Sequence, residues 1–198
     1  MAAEGCRVEV EGALPRKLGL AKAELKSAAR LFAARSGARI GMPFRAVTVI
    51  LQDDAFSAEV HEAINGAKGG TDVITQRYDA MPGEKPGVYG ELYVNVDQAL
   101  RAAPKRRGWS PAKELLLYVA HGMDHLSGAD DLNPADYDRM RRRELAWLRQ
   151  NHNYAIRRCP RLLSPMVDSE CPSLFADATN GGRSISCLHF LTKREPVS

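Results

Sequence analysis

Four cysteines in 198 residues (Cys6, Cys159, Cys171 and Cys187), three of them late and none in a C-x-x-C pair, leave no disulfide framework and no paired-thiolate zinc fold to consider. Cys159, Cys171 and Cys187 with His189 match the ligand spacing of no common finger or knuckle. Long apolar runs are also missing, and the opening Met1-Ala2-Ala3-Glu4-Gly5-Cys6-Arg7 has no apolar signal core. A cytoplasmic protein with no membrane partner is the expectation. Charge is not strongly one-sided: a net +4 with a pI near 8.9 permits a polyanionic partner without demanding one. What is present is ordinary for one globular domain, with 44% hydrophobic residues.

The densest chemistry lies in His121-Gly122-Met123-Asp124-His125-Leu126-Ser127-Gly128-Ala129-Asp130-Asp131. The apolar residues 115–120 before it predict a helix, and on a helix His121 and His125 leave the same face one turn apart. Gly128 can take the left-handed conformation that ends a helix and turns the chain back. That reversal would bring Asp131 round as a third, oxygen ligand. Three protein ligands and one open position make a catalytic rather than a structural zinc site, at one Zn2+ per chain. A bare H-x-x-x-H is often accidental; the pair, the spaced glycine and the acid together are far more specific.

In chain order, residues 7–11 alternate like a half-buried strand. Helical spacing predicts a helix over 18–35, with Gly37 as its stop. The β-branched run 46–51 reads as a central strand buried on both faces. Asp53 and Asp54 offer N-cap chemistry for a helix to about 64, and 71–75 and 88–95 read as strands. A short helix over 96–103 precedes Ser110-Pro111, which caps and starts the metal helix. A last helix over 136–150 should pack through Tyr137, Met140, Leu145 and Leu148. The expected class is α+β: a small mixed four-stranded sheet covered by about five helices, with the metal site on a helix and the turn after it. The domain is expected to occupy 1–152, and 153–198, rich in Ser, Pro, Gly and Asn, reads as a loosely packed or disordered extension.

The metal stretch, Thr71-Asp72-Val73-Ile74-Thr75 and Gly90-Glu91-Leu92-Tyr93-Val94 together resemble the YbeY family in order and spacing over about 7–149. The family pattern H-G-x-L-H-L-x-G-Y-D-H stands here with Asp131 at the third ligand, Ala129 at the tyrosine and Asp124 at the leucine. A family arginine expected shortly before Thr71 has no counterpart; residues 65–70 offer only Lys68. The resemblance implies a zinc-dependent, single-strand-specific endoribonuclease of ribosomal RNA maturation and ribosome quality control, with ribosomal RNA or the small ribosomal subunit as partner.

Zinc chemistry of this kind is hydrolytic. The spacing also occurs in metzincin-like metalloproteases, the alternative enzyme reading, but those carry a general-base Glu directly after the first His, and here Gly122 stands there. Asp124 and Asp130 are candidates to assist the reaction or to orient a ligand histidine. Lys105, Arg106, Arg107 and Lys113, with Arg141 and Arg142 on the last helix, are candidates to bind RNA phosphates, the same arginines being equally readable as the wet side of a helix. Trp109 reads as a core anchor. The altered third ligand and the absent arginine give a non-enzymatic alternative, a catalytically weakened ribosome-associated RNA-binding factor.

Overall fold

The alternation seen at the N-terminus forms a strand, Arg7–Glu11 (β1), in the computed structural model, which describes residues 5–66 and 68–151. It is followed by a 3-10 turn at Arg16–Leu18 and then Lys22–Ile40 (α1), Phe44–Gln52 (β2), Asp54–Asn65 (α2), Val73–Tyr78 (β3) and Val88–Asn95 (β4). Val96–Ala102 (α3), a second 3-10 turn at Ala103–Lys105, Pro111–Leu126 (α4) and Pro134–Gln150 (α5) complete the order. The sheet runs β1-β2-β4-β3, with β1, β2 and β4 parallel and β3 antiparallel to β4. This is the expected α+β class with a mixed four-stranded sheet and five α-helices among the described residues. None of those helices is long and apolar enough to cross a membrane. The expected extension from 153 onward, with its three cysteines and His189, and His152 before it, lie outside the described residues.

Two expectations are corrected. Gly37 does not stop α1; the helix runs on to Ile40 and ends at Gly41, whose φ of 66° is the left-handed turn. Gly37 serves packing instead, since a Cβ there would lie 2.8 Å from the Met42 carbonyl oxygen and 3.4 Å from the Phe44 ring. β2 is central, between β1 and β4, but not buried on both faces: Ala46, Thr48 and Ile50 on the outer face are half-buried. α2, which follows β2, packs against β4 and α3.

The inner face is organised in cross-strand rows, such as Val49-Leu92-Thr75 and Leu51-Val94-Val73, and it meets α1 and α4. Helix α4 is covered almost all round, with Glu114 to Leu126 buried without a break. Leu115, Leu116 and Leu117 are at most 1% exposed, each contributing about 1.5–3 kcal/mol by leaving water. Ser110 caps it by accepting the Lys113 backbone N–H at 3.2 Å, with Pro111 in the first turn, as its sequence predicted. α5 docks on α4 and α1 through Met140, Trp147 and Leu148, with Trp147 stacked on Phe32 at 6.4 Å.

Two glycines let α4 sit close to the sheet. A Cβ on Gly122 would meet Leu92 at 2.8 Å, Val73 at 3.1 Å and Thr75 at 3.2 Å, and one on Gly90 would meet Leu126 at 2.7 Å. Gly122→Val should therefore lower stability by about 1–3 kcal/mol through overpacking. A lowered urea midpoint at unchanged m-value is the expected result; an unchanged midpoint would show that the helix can shift outward freely.

Candidate metal centre

The apolar helix and the turn behind it bring His121, His125 and Asp131 together, with one ligand atom from each lying within 4.8 Å of the others. His121 and His125 come from the last turn and a half of α4. Gly128, at φ 81°, reverses the chain as expected and returns Asp131 to the histidines. His121 Nδ1 donates to Glu144 Oε1 at 2.6 Å, and His125 Nδ1 donates to the Ala129 carbonyl at 3.0 Å. Both acceptors lack protons to give, so the protons sit on Nδ1 and both Nε2 atoms present lone pairs.

Those lone pairs face each other at 3.0 Å, with Asp131 Oδ2 3.6 Å from His121 Nε2 and Asp131 Oδ1 3.8 Å from His125 Nε2. Two lone pairs and a carboxylate at such separations repel unless a cation lies between them. Tetrahedral zinc with its usual bond lengths sets its ligand atoms about 3.3 Å apart, which the three separations bracket. The donor set therefore fits a divalent metal, and the hydrogen bonds at Nδ1 are the supports a metal-ligating imidazole needs.

The electrostatics agree. Burial lowers the His121 imidazole, but the charge and hydrogen bond of Glu144 outweigh it and hold it above its ordinary value. Burial and the neighbouring His121 push His125 down to about 4. Burial also raises the Asp131 carboxyl, against the pull of His121. Burial would raise Glu144 too, yet His121 and Arg141 hold it below the usual carboxylate range.

Sequence reasoning missed Glu144, a fully buried acid on α5. A signal existed: a lone glutamate stands between the apolar positions Met140 and Leu148 on the packing face, where an acid needs a partner. Arg141 is that second partner, with Nη1 3.2 Å from Glu144 Oε2 and its guanidinium over the Tyr137 ring at 5.3 Å. Asp72, at the mouth of β3, is close enough for its charge to raise both His121 and His125.

The remaining candidates are dispersed. Asp124 is fully buried and held by Arg143 and Arg39. Asp130 is exposed and accepts the Asp131 and Leu132 backbone N–H groups, shaping the turn. Neither joins the three-residue group. Lys105, Arg106 and Arg107 are exposed just before the start of α4, and Lys113 lies 3.8 Å over the Trp109 ring, which packs against the core as expected. Arg106 pairs with the buried Glu114 at 3.1 Å. Arg142 is exposed, whereas Arg141 is largely covered. His61, expected to be structural, is buried with Nδ1 on the Gly69 carbonyl at 2.7 Å.

The family model "Endoribonuclease YbeY" matches residues 17–152. A curated relative of that description from Rhodopirellula baltica is 37% identical over 130 residues, covering 65% of this chain and 63% of the relative. Another, from an Anaeromyxobacter species, is 33% identical over 122 residues, covering 60% and 62% respectively. The chain thus spans somewhat under two thirds of the length of these relatives. The solution structure of TM1509 from Thermotoga maritima shares the fold, with a TM-score of 0.50 and 23% identity over 75% of this chain and 90% of that one.

Metal uptake should depend on pH in a definite direction. The ion displaces the proton that Glu144 stabilises on His121, so affinity is full above the raised His121 pKa and falls as pH drops through it. Glu144→Gln removes that charge, so the acid-induced loss should begin at lower pH, while affinity at neutral pH falls by about 10–100-fold as the imidazole loses its support. Chelator competition across pH measures both. An onset that stays where it is in the wild type would break the link between Glu144 and the site.

Proposed function

The chain belongs to the YbeY family, and from that premise we propose that it is a zinc-dependent endoribonuclease specific for single-stranded RNA, acting in ribosomal RNA maturation and ribosome quality control in the cytoplasm. Its partner is ribosomal RNA or the small ribosomal subunit. Residues 1–152 carry the activity in this reading, and 153–198 extend beyond it. The observation that carries the reading is the convergence of the two Nε2 atoms and one carboxylate to within 4.8 Å of one another, backed by buried acceptors behind both rings.

When bound, zinc supplies a Lewis acid that lowers the pKa of coordinated water and polarises a phosphoryl oxygen. His121, His125 and Asp131 would hold it. Glu144 fixes the His121 tautomer and its carboxylate would offset the charge that ligation leaves on the ring; the Ala129 carbonyl, a neutral acceptor, fixes the tautomer of His125. Cleavage of RNA makes modest further demands, because the ribose 2′-hydroxyl can itself attack. Asp124 and Asp130 are both engaged elsewhere, with guanidiniums and with backbone N–H groups, and their part here is to hold the ligands in place.

Gly122 weighs against the protease alternative. Its Cα faces Leu92, Val73 and Thr75, so the position after the first histidine is filled by packing and has no room for a glutamate base. The cations Lys105, Arg106, Arg107 and Lys113 begin about 12 Å along α4 from His121, at Lys113, where they would track the phosphates of a strand lying across the helix; Arg141 and Arg142 are the further candidates on α5.

Purified protein loaded with zinc should cleave unstructured RNA and leave casein intact, and His121→Ala should abolish cleavage while keeping most RNA affinity. Lys105→Glu with Arg107→Glu, which spares the Arg106 link to buried Glu114, should weaken RNA binding and flatten the log K against log salt slope by about 1.4 for two lost single-strand contacts. Casein cleavage without RNA cleavage would return the protease reading. RNA binding with no cleavage under zinc would favour the weakened binding factor.

A further inference from the structure

Asp124 sits between the two histidine ligands in sequence, three residues after His121 and one before His125, and it is fully buried. A buried carboxylate on an apolar helix is costly unless cations and donors surround it. Here they do. Arg143 Nε donates to Asp124 Oδ2 at 2.9 Å, Arg143 Nη2 donates to the same oxygen, and Arg39 Nε lies 3.4 Å from Oδ1. Arg39 Nη2 also donates to the Ser127 carbonyl at 3.0 Å and to the Ser127 hydroxyl, which in turn donates to the Asp124 carbonyl at 2.7 Å. One carboxylate thus ties α1, α4 and α5 together at the point where α4 ends.

The placement is informative. Arg143 and Glu144 are consecutive on α5, and they grip α4 three residues apart, at Asp124 and at His121. Whatever fixes Arg143 on Asp124 also fixes how far along α4, and at what rotation, Glu144 meets the His121 ring. Arg39 acts on the other side of the site. It fastens Ser127, the last residue before the chain turns through Gly128 toward Asp131. One ligand is aimed through α5 and another is delivered by a turn whose first residue is anchored to α1.

We propose that Asp124 is a positioning residue for the metal centre: the Arg39-Asp124-Arg143 clamp sets the register of α5 on α4 and anchors the turn that carries Asp131, so that the ligands are preorganised. This rests on the metal-site reading above. A buried charge triad is poor evidence for stability as such, since well-packed apolar residues often replace one without loss of stability. Its geometry, by contrast, is directional, and an apolar trio would pack without fixing rotation or register.

The test separates these roles. Wild type, Arg143→Lys and the triple variant Arg39→Met/Asp124→Leu/Arg143→Leu are titrated with Co2+ and, by chelator competition, with Zn2+. Melting curves and the downfield NMR signal of the His121 Nδ1 proton in the zinc-loaded form are recorded beside them. Arg143→Lys keeps the charge but loses the two-pronged hold, and the triple variant removes the three charges of the clamp. Both should melt near the wild type yet bind Zn2+ at least tenfold more weakly, with an altered Co2+ absorption band and a shifted or broadened Nδ1 signal. If the triple variant does not fold, Arg143→Lys decides alone. Wild-type affinity, band and proton signal in the folded variants would overturn the clamp while leaving the metal site standing. A wild type that takes up neither ion would bring down the metal reading and the clamp with it.

Discussion

The imidazole of His121 is useful only because something buried accepts its Nδ1 proton, and the rest of the site follows from that requirement. Once Glu144 accepts the Nδ1 hydrogen bond at 2.6 Å, Nε2 is turned toward His125 and Asp131. Glu144 must then come from an element lying against α4 at the right height, which is why α5 has to fold back over the helix it follows. The turn Ser127 to Asn133 performs that reversal and supplies two groups on the way, the Ala129 carbonyl for His125 and the carboxylate of Asp131. A short turn thus supplies one candidate ligand, the support of another and the cap of the next helix, where Asn133 accepts the Asp136 N–H at 2.9 Å.

Burying two carboxylates, Asp124 and Glu144, explains where several arginines of this basic chain are found. Arg39 and Arg143 serve Asp124, and Arg141 serves Glu144. Desolvation dominates the shift of Asp124, which stays above the usual carboxylate value in spite of both guanidiniums, and it pulls Arg39 down as well. Such a cluster is easily damaged by removing one member and tolerant of replacing all. The run Arg141-Arg142-Arg143 therefore divides by helical angle: the outer two turn inward to buried acids and the middle one faces water.

Much of the site could be read from the chain because its information is local. A four-residue spacing on a helix, a glycine that must take positive φ and an acid three residues later fix His121, His125, Gly128 and Asp131 without knowledge of the rest of the fold. The capping of α4 by Ser110 and Pro111 and of α2 by Asp53 is local for the same reason. Glu144, Arg39 and Arg143 were not legible as site residues, since their roles depend on how α1 and α5 pack, contacts spanning 23 residues for Glu144 to His121 and 88 for Arg39 to Ser127. Gly37 was misread because a glycine that admits a neighbour looks, in sequence, like a glycine that ends a helix. The burial of β2 was overestimated because a β-branched run reports strand propensity, and which face a later helix covers is decided by connection and not by composition.

The carboxylate at Asp131 changes the charge balance that a phosphate would meet. With two neutral imidazoles, a divalent ion would be cancelled by Asp131 and Glu144 together, where a third imidazole would leave one positive charge. Arg141, 3.2 Å from Glu144, restores that charge one step behind the metal. Because Arg141 is also stacked on Tyr137 and largely covered, its charge is held in a medium where it is weakly screened and acts at longer reach than an exposed lysine could. Attraction for an anionic substrate at this centre would then depend on the Glu144-Arg141 pair behind the ligands as much as on the ligands themselves. Asp131 would be tolerable as a ligand because that pair stands behind it.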